Sequence, residues 1–381
     1  MKFNQNNIKT YRDTTYKFNE YFDLNSGFYL RTDSEETKKD PFMRSFPALL
    51  DIGIMGGCKS CRVCKADCYQ GGKIYNPEKD MKLEDYKKII DEGAEKGLQQ
   101  VALGGAGNPN DHRDFEEIVR YTRSKDIIPN YTTSGIELSE EAVKATKKYC
   151  GAVAVSWYYQ DFTVNALNKF LDSGMKTSIH FVLSRESIED AINCLNSGKL
   201  NYFHKEKLGI ESREFNLNEK GINAIIFLLY KPVGLGIRDK VLSIEKDKYY
   251  LKLFFDAIKN NKNKFKIGFD SCSIPAIMNY SDSIDRTSID SCEGGRFSAY
   301  INSDLIMTPC SFDQNLIYGV SLKDSSVEEV WNSDKFIKFR SRLFFSCPSC
   351  KNRENCLGGC PLKQEIVICN SENRDIGLKI A

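Results

Sequence analysis

Fourteen cysteines fall in a chain of 381 residues, and their spacing is its strongest chemical signal. In GGCKSCRVCKADCYQGG, Cys58, Cys61, Cys64 and Cys68 lie within eleven residues, between glycine pairs that let backbone wrap closely around a compact ligand. Four thiols this near suit a tetrahedral zinc site by number, and they suit an iron-sulfur cluster equally well. The spacing Cys-x2-Cys-x2-Cys-x3-Cys also matches the bacterial ferredoxin run, but Tyr69 stands where that run has proline, which argues against a ferredoxin domain. From Cys272 onward come Cys292, Cys310, Cys347, Cys350, Cys356, Cys360 and Cys369, eight in all, the number that two four-cysteine clusters need. Taken alone, CPSCKNRENCLGGCP reads as a zinc knuckle. Cys150 and Cys194 sit on expected helices without cysteine neighbours and read as small buried residues.

The opening MKFNQNNIKTYRDTTYKFNE lacks the apolar run of a secretory signal, and nowhere do about eighteen apolar residues run together as a membrane span requires. A cytoplasmic protein with no membrane partner is therefore expected. Its thiols would stay reduced and bind metal rather than pair as disulfides. Lys plus Arg number 54 and Asp plus Glu 52, so no net field favours nucleic acid, and none is expected as a partner.

Strand-length apolar runs recur at Ala48–Met55, Gln99–Gly104, Ile128–Thr133, Ala152–Tyr158, Lys176–Leu183 and Ile222–Tyr230. Helical periodicity falls between them, with Leu83, Tyr86, Ile89, Ile90 and Ala94 on one face and further helices near Asp114–Arg123, Glu140–Tyr149, Thr163–Ser173 and Ser187–Ser197. Such alternation predicts an α/β fold of parallel strands with right-handed crossovers, an open sheet or a full or partial barrel. Ligands then gather at the carboxyl ends of the strands, where the Cys58–Cys68 loop follows the first one. After about residue 268 the sequence turns irregular and cysteine-rich, with one helical signal near Val327–Leu343. This divides the chain into an N-terminal segment 1–47 of unassigned role, an α/β unit at 48–268 and a metal-stapled unit at 269–381.

Over roughly residues 48–369 this pattern resembles the radical S-adenosylmethionine (SAM) enzymes that carry a C-terminal SPASM domain. The resemblance rests on Cys347-x2-Cys350-x5-Cys356-x3-Cys360 followed by Cys369, and on the preceding Cys292–Cys310 stretch, CEGGRFSAYINSDLIMTPC. It implies a partial (β/α) TIM-type barrel followed by a small irregular iron-sulfur domain. It further implies one auxiliary 4Fe-4S cluster on Cys347, Cys350, Cys356 and Cys369, and another on Cys272, Cys292, Cys310 and Cys360. In the barrel, GNPNDHRDF (Gly107–Phe115) resembles the family's Gly-Glu-Pro segment, with Asn108 where the glutamate holds the SAM amino group. An amide oxygen accepts a hydrogen bond from an ammonium without charge assistance, so that contact is expected to be weaker. YTTSG (Tyr131–Gly135) and AVS (Ala154–Ser156) resemble strand ends that contact the same ligand, so Gly107, Asn108, Thr133, Ser134 and Ser156 are the expected SAM contacts. Read without the cysteines, Gly104–Gly107 is a tight turn and Thr132–Ser134 a capping sequence.

The first loop departs from the family, whose spacing is Cys-x3-Cys-x2-Cys: Cys64-x3-Cys68 begins it, but Gly71 stands at the third position. A radical SAM cluster takes three cysteines, so Cys58, Cys61, Cys64 and Cys68 leave one spare; Cys58, Cys64 and Cys68 are the favoured set, with Cys61 as the substitute for Cys64. The resemblance thus implies three 4Fe-4S clusters, SAM, a peptide or protein substrate in the manner of ribosomal peptide maturation, and an external electron donor such as flavodoxin or ferredoxin. The chemistry would be a 5′-deoxyadenosyl radical abstracting substrate hydrogen. If all four thiols closed the first cluster, the chain would instead be a non-catalytic electron carrier; a zinc-stapled binding module is the third reading. Neither a general acid nor a general base stands out, and His112, His180 and His204, the only histidines, each have a structural reading, with His180 expected to be packed.

Overall fold

A computed structural model describes residues 7–33, 41–59, 68–206 and 209–370. Cys61 and Cys64 lie outside the described residues.

The chain opens with an antiparallel sheet of β1 (Ile8–Asp13), β2 (Phe18–Asp23) and β3 (Tyr29–Asp33). Strand and helix then alternate: β4 (Leu49–Gly53), α1 (Leu83–Glu95), β5 (Gln100–Gly104), α2 (Phe115–Ser124), β6 (Ile128–Thr133), α3 (Glu140–Tyr149), β7 (Val153–Ser156), α4 (Asp161–Asp172), β8 (Thr177–Leu183) and α5 (Ile188–Ser197). A hairpin of β9 (Lys199–Glu206) and β10 (Gly209–Asn216) and the single turn α6 (Leu217–Lys220) intervene before β11 (Ala224–Leu229), α7 (Ile244–Lys259) and β12 (Lys266–Phe269). Local chemistry sets these limits. Buried Tyr86, Ile89, Ile90 and Gly93 make one stripe of α1, the Ser139 hydroxyl accepts the Ala142 N–H to cap α3, and Gly198 ends α5 at φ +74°.

In the main sheet the strand order is β12-β11-β8-β7-β6-β5-β4, all parallel, which is the expected α/β partial barrel. The C-terminal region joins the same sheet. After α8 (Ile274–Tyr280), β13 (Ser298–Ile301) pairs parallel with β4, and β14 (Ile306–Thr308) and β15 (Val320–Ser321) extend the edge antiparallel. The chain closes with α9 (Val327–Trp331), α10 (Asp334–Phe344) and α11 (Arg353–Cys356). The expected helix at Val327–Leu343 is thus two helices, parted at Asn332–Ser333, where α9 has ended and Ser333 takes the extended conformation that precedes α10.

The N-terminal sheet is fastened to the amino-terminal ends of β4 and β5, away from the strand ends expected to bind ligand. Glu20 on β2 forms a fully buried ion pair with Arg44 at 3.0 Å and accepts from Gln99 Nε2 at 2.7 Å. Arg44 also donates to the carbonyls of Phe46, Pro47 and Gly97, lies on the Tyr11 ring, and takes the Trp331 indole N–H on its own carbonyl. One arginine therefore ties β2, the barrel base and α9 together.

Candidate cluster and cofactor site

Alternation along the barrel strands sends one set of side chains to the helices and the other to the lumen. Leu50, Ile52, Val101, Leu103, Val153, Val155, Ile179 and Phe181 form the buried layer under the helices. The opposite parity leaves Asp51, Gly53, Ala102, Gly104, Thr132, Ser156 and His180 facing inward. At the carboxyl ends the first cysteine loop meets the turn after β5. A methyl on Gly107, whose φ is +94°, would overlap the Gly57 carbonyl and reach within 3.2 Å of Cys58 Cα. Cys58 N donates to Lys73 O at 2.9 Å, and the Cys68 carbonyl accepts from Leu235 N at 3.0 Å, so both described arms of the loop are anchored.

Of the expected SAM contacts, Gly107, Asn108, Ser134 and Ser156 gather at the ends of β5, β6 and β7. Asn108 is buried; its Oδ1 accepts the Ser134 N–H at 2.8 Å and its Nδ2 donates to Asp111 Oδ2 at 3.3 Å. Its carbonyl is thus engaged by the neighbouring strand end. Thr133 turns the other way: it is buried on the helix side, in register with Val155, and its hydroxyl accepts the Gly135 N–H at 3.0 Å. The lumen receives Thr132 instead, whose hydroxyl lies 3.4 Å from His180 Nδ1.

The lumen also holds titratable groups that the sequence left unassigned. Burial pushes the Asp51 carboxyl up to about 7 and the His180 imidazole down to about 4, the latter against the opposing pull of Asp270. His180 is half-buried, on the lumen side of β8 beside Thr132. Tyr69, next to Cys68, and Tyr300 on β13 both have phenols raised by burial, and both feel the Asp51 charge. A cavity of about 360 Å³ opens here, lined in part by Met55, Gly56, Gln70, Ala106, Tyr300 and Asp304. Elsewhere, His112 bonds Met81 O and the Asp114 N–H, and His204 pairs with Asp161 at 2.6 Å, both links between elements of the scaffold.

The eight later cysteines gather as two sets of four. Cys272 hydrogen-bonds Cys360, and Cys292 and Cys310 lie within electrostatic reach of Cys272 and of each other. Cys356 is surrounded in the same sense by Cys369, Cys347 and Cys350. The turn Leu357-Gly358-Gly359 runs entirely at positive φ and wraps the chain from Cys356, beside Cys347, Cys350 and Cys369, round to Cys360, beside Cys272. The hydrogen bond to Cys360 and burial raise the Cys272 thiol, while burial first and neighbouring thiols second push Cys292 and Cys356 up to about 12. Binding a metal group at either set must therefore expel several protons. Among the described residues no three Cys, His, Asp or Glu side chains converge closely enough for a single metal ion. Cys194 is fully buried in the core, and Cys150 packs against it at the end of α3.

Lys231, two residues beyond β11, is a further buried group beside the first set. It is paired with Asp270 at 2.5 Å and lies 4.5 Å from the centre of the Phe312 ring. Burial acts to lower its pKa, but Asp270, Cys272 and Cys360 outweigh this and hold it above its ordinary value. A lysine in an apolar run carries no sequence signal of such a partner. Phe312 in turn lies 5.3 Å from Tyr69 with the rings tilted by 47°, so the aromatic pair spans from the Cys68 loop to the Cys310 segment.

Comparison with known proteins bears on the same regions. Residues 292–357 match the family model of the SPASM iron-sulfur cluster-binding domain. The PqqA peptide cyclase of Granulibacter bethesdensis is 21% identical over 305 residues, which is 74% of each chain. The chain thus carries a SPASM iron-sulfur cluster-binding domain in its C-terminal region. Among solved structures, Streptococcus suis SuiB bound to its precursor peptide SuiA superposes with a TM-score of 0.71 at 14% identity, over 98% of this chain and 100% of that one. The anSMEcpe enzyme with bound AdoMet does so at 0.59 and 17%, over 86% and 92%. Both likenesses show a shared fold, over 98% and 86% of this chain. No helix among the described residues is long and apolar enough to cross a membrane.

Proposed function

We propose that this SPASM protein is a peptide- or protein-modifying radical SAM enzyme with three 4Fe-4S clusters. The gathering of two four-thiol sets behind a barrel mouth that also holds the Cys58–Cys68 loop carries this reading. Cys272, Cys292, Cys310 and Cys360 would hold one auxiliary cluster and Cys347, Cys350, Cys356 and Cys369 the other. Three of Cys58, Cys61, Cys64 and Cys68 would hold the first cluster, which with SAM supplies a 5′-deoxyadenosyl radical when reduced. The scaffold residues do the positioning. Gly107 lets the β5 turn touch the cysteine loop, Asn108 locks that turn to Ser134, and Ser134 and Ser156 would contact SAM from the ends of β6 and β7. Gly104 faces open space that would admit a substrate side chain, Gly53 and Gly105 make room for the Tyr300 phenol, and Tyr69 and Tyr300 would wall the lumen against water.

A peptide substrate is supported by the relatives, which include a peptide cyclase and an enzyme solved with its precursor peptide. On this reading residues 48–268 generate the radical, 269–381 supply the auxiliary clusters, and 1–47 brace the barrel base. A small reduced protein such as flavodoxin or ferredoxin would donate the electron, in the cytoplasm. The test is incubation of the anaerobically reconstituted protein with SAM, dithionite and a library of short peptides. Peptide-dependent 5′-deoxyadenosine with a product lighter by two hydrogens is expected, and cofactor cleavage that no peptide ever accelerates would defeat the assignment.

A further inference from the structure

We infer that Lys231 sets the redox potential of the cluster at Cys272, Cys292, Cys310 and Cys360, by holding a permanent positive charge against its thiolates. This rests on the proposal that those four thiols bind a cluster.

The side chain of Lys231 is 4% exposed, and its ammonium donates to the Leu229 carbonyl at 2.8 Å and to Asp270 Oδ2 at 2.5 Å. Asp270 lies two residues before Cys272, and Phe312, whose ring the ammonium overlies, lies two residues after Cys310. The charge is thereby fixed between the segments that bring in Cys272 and Cys310, and it acts on Cys272, Cys310 and Cys360 together. The fourth, Cys292, has its own cation in Arg296, which donates to the Cys292 carbonyl at 3.0 Å. A four-thiolate cluster is anionic, and reduction adds one more negative charge. In a buried site of low effective dielectric, a fixed cation stabilises the reduced state more than the oxidised one and raises the potential. A bracing role alone gives no reason for an ammonium here, because a buried ion pair braces no better than apolar packing of the same volume.

The experiment is potentiometric titration of the full-length, reconstituted protein followed by electron paramagnetic resonance. The signal abolished by Cys360→Ala and retained in Cys350→Ala identifies the cluster. Lys231→Met is expected to shift its midpoint to more negative potential, Lys231→Arg to leave it in place, and Asp270→Asn to shift it to more positive potential. An unchanged midpoint in Lys231→Met with full iron content would overturn the inference. Should Lys231→Met fail to hold the cluster, Asp270→Asn decides, since it keeps the cation and removes the carboxylate; no rise in potential there overturns the inference equally. Absence of any such signal in the unaltered protein would refute the cluster assignment itself, and with it the role of Lys231.

Discussion

Replacing Gly107 by alanine is the sharpest test of how the barrel presents its first cysteine loop. The residue sits at φ +94°, where an added side chain costs about 1–2 kcal/mol of backbone strain. Its methyl would also overlap the Gly57 carbonyl and approach Cys58 Cα to 3.2 Å, inside the 3.5–4.0 Å or so of comfortable carbon contact. Relief requires the turn and the loop to part by roughly 1 Å, and a misplacement of that size costs on the order of 100-fold in rate at a site that works by positioning. The expected result for Gly107→Ala is a soluble protein with at least the eight auxiliary irons and about 100-fold slower formation of 5′-deoxyadenosine, assayed by chromatography after reduction. The same change at Gly27, where a methyl meets nothing within 4 Å despite φ +70°, isolates the strain and should leave cleavage alone. Cleavage at the unaltered rate in Gly107→Ala would refute the contact between the turn and the loop.

Other consequences are equally open to measurement. Arg44→Met leaves Glu20 buried without its cation and should destabilise the fold by about 3–5 kcal/mol. Adding Glu20→Gln should recover part of that loss, and full additivity of the two changes in urea unfolding would contradict the ion pair. Cys360→Ala should remove about four irons per chain, whereas Cys194→Ala should remove none; equal losses would break the division between ligands and bystanders. Asp51, with its folded pKa raised to about 7 against about 3.9 unfolded, makes stability fall as pH rises between those values, because the folded state then holds the proton the unfolded state has released. Asp51→Asn should flatten that slope, by at most about 4 kcal/mol at pH 8, and a pH-stability curve identical to the parent would show that the carboxyl is well solvated.

Much of the barrel was legible because its two periodicities are clean. Ile128–Thr133 and Glu140–Tyr149 match β6 and α3 residue for residue, and the other expected strands contain the observed ones, because glycine or capping residues mark their ends. What escaped had weaker marks. In β1, IKTYRD alternates poorly, with only Asp13 buried, since the buried face of that sheet comes from Phe18, Glu20 and Phe22 of β2. The helix α7 interleaves lysines with its buried Leu251, Phe254 and Phe255, and the β9–β10 hairpin stands outside the strand-helix alternation. Within the site, the cysteines stood out because thiols at those spacings have few uses. Asp51, His180 and Lys231 did not, because single polar residues in apolar runs show their surroundings only after the strands are laid side by side. Thr133 and Thr132 illustrate the same limit, since one residue of register decides which hydroxyl enters the lumen.

Enzyme or electron carrier is decided by whether the Cys58–Cys68 loop carries a cluster that cleaves SAM. Anaerobic reconstitution with iron and sulfide, iron quantitation, and reduction in the presence of SAM measure this directly. About twelve irons per chain together with 5′-deoxyadenosine are predicted; about twelve irons with no cleavage would mean a closed first cluster and an electron carrier, and near-stoichiometric zinc would contradict the cluster assignment altogether.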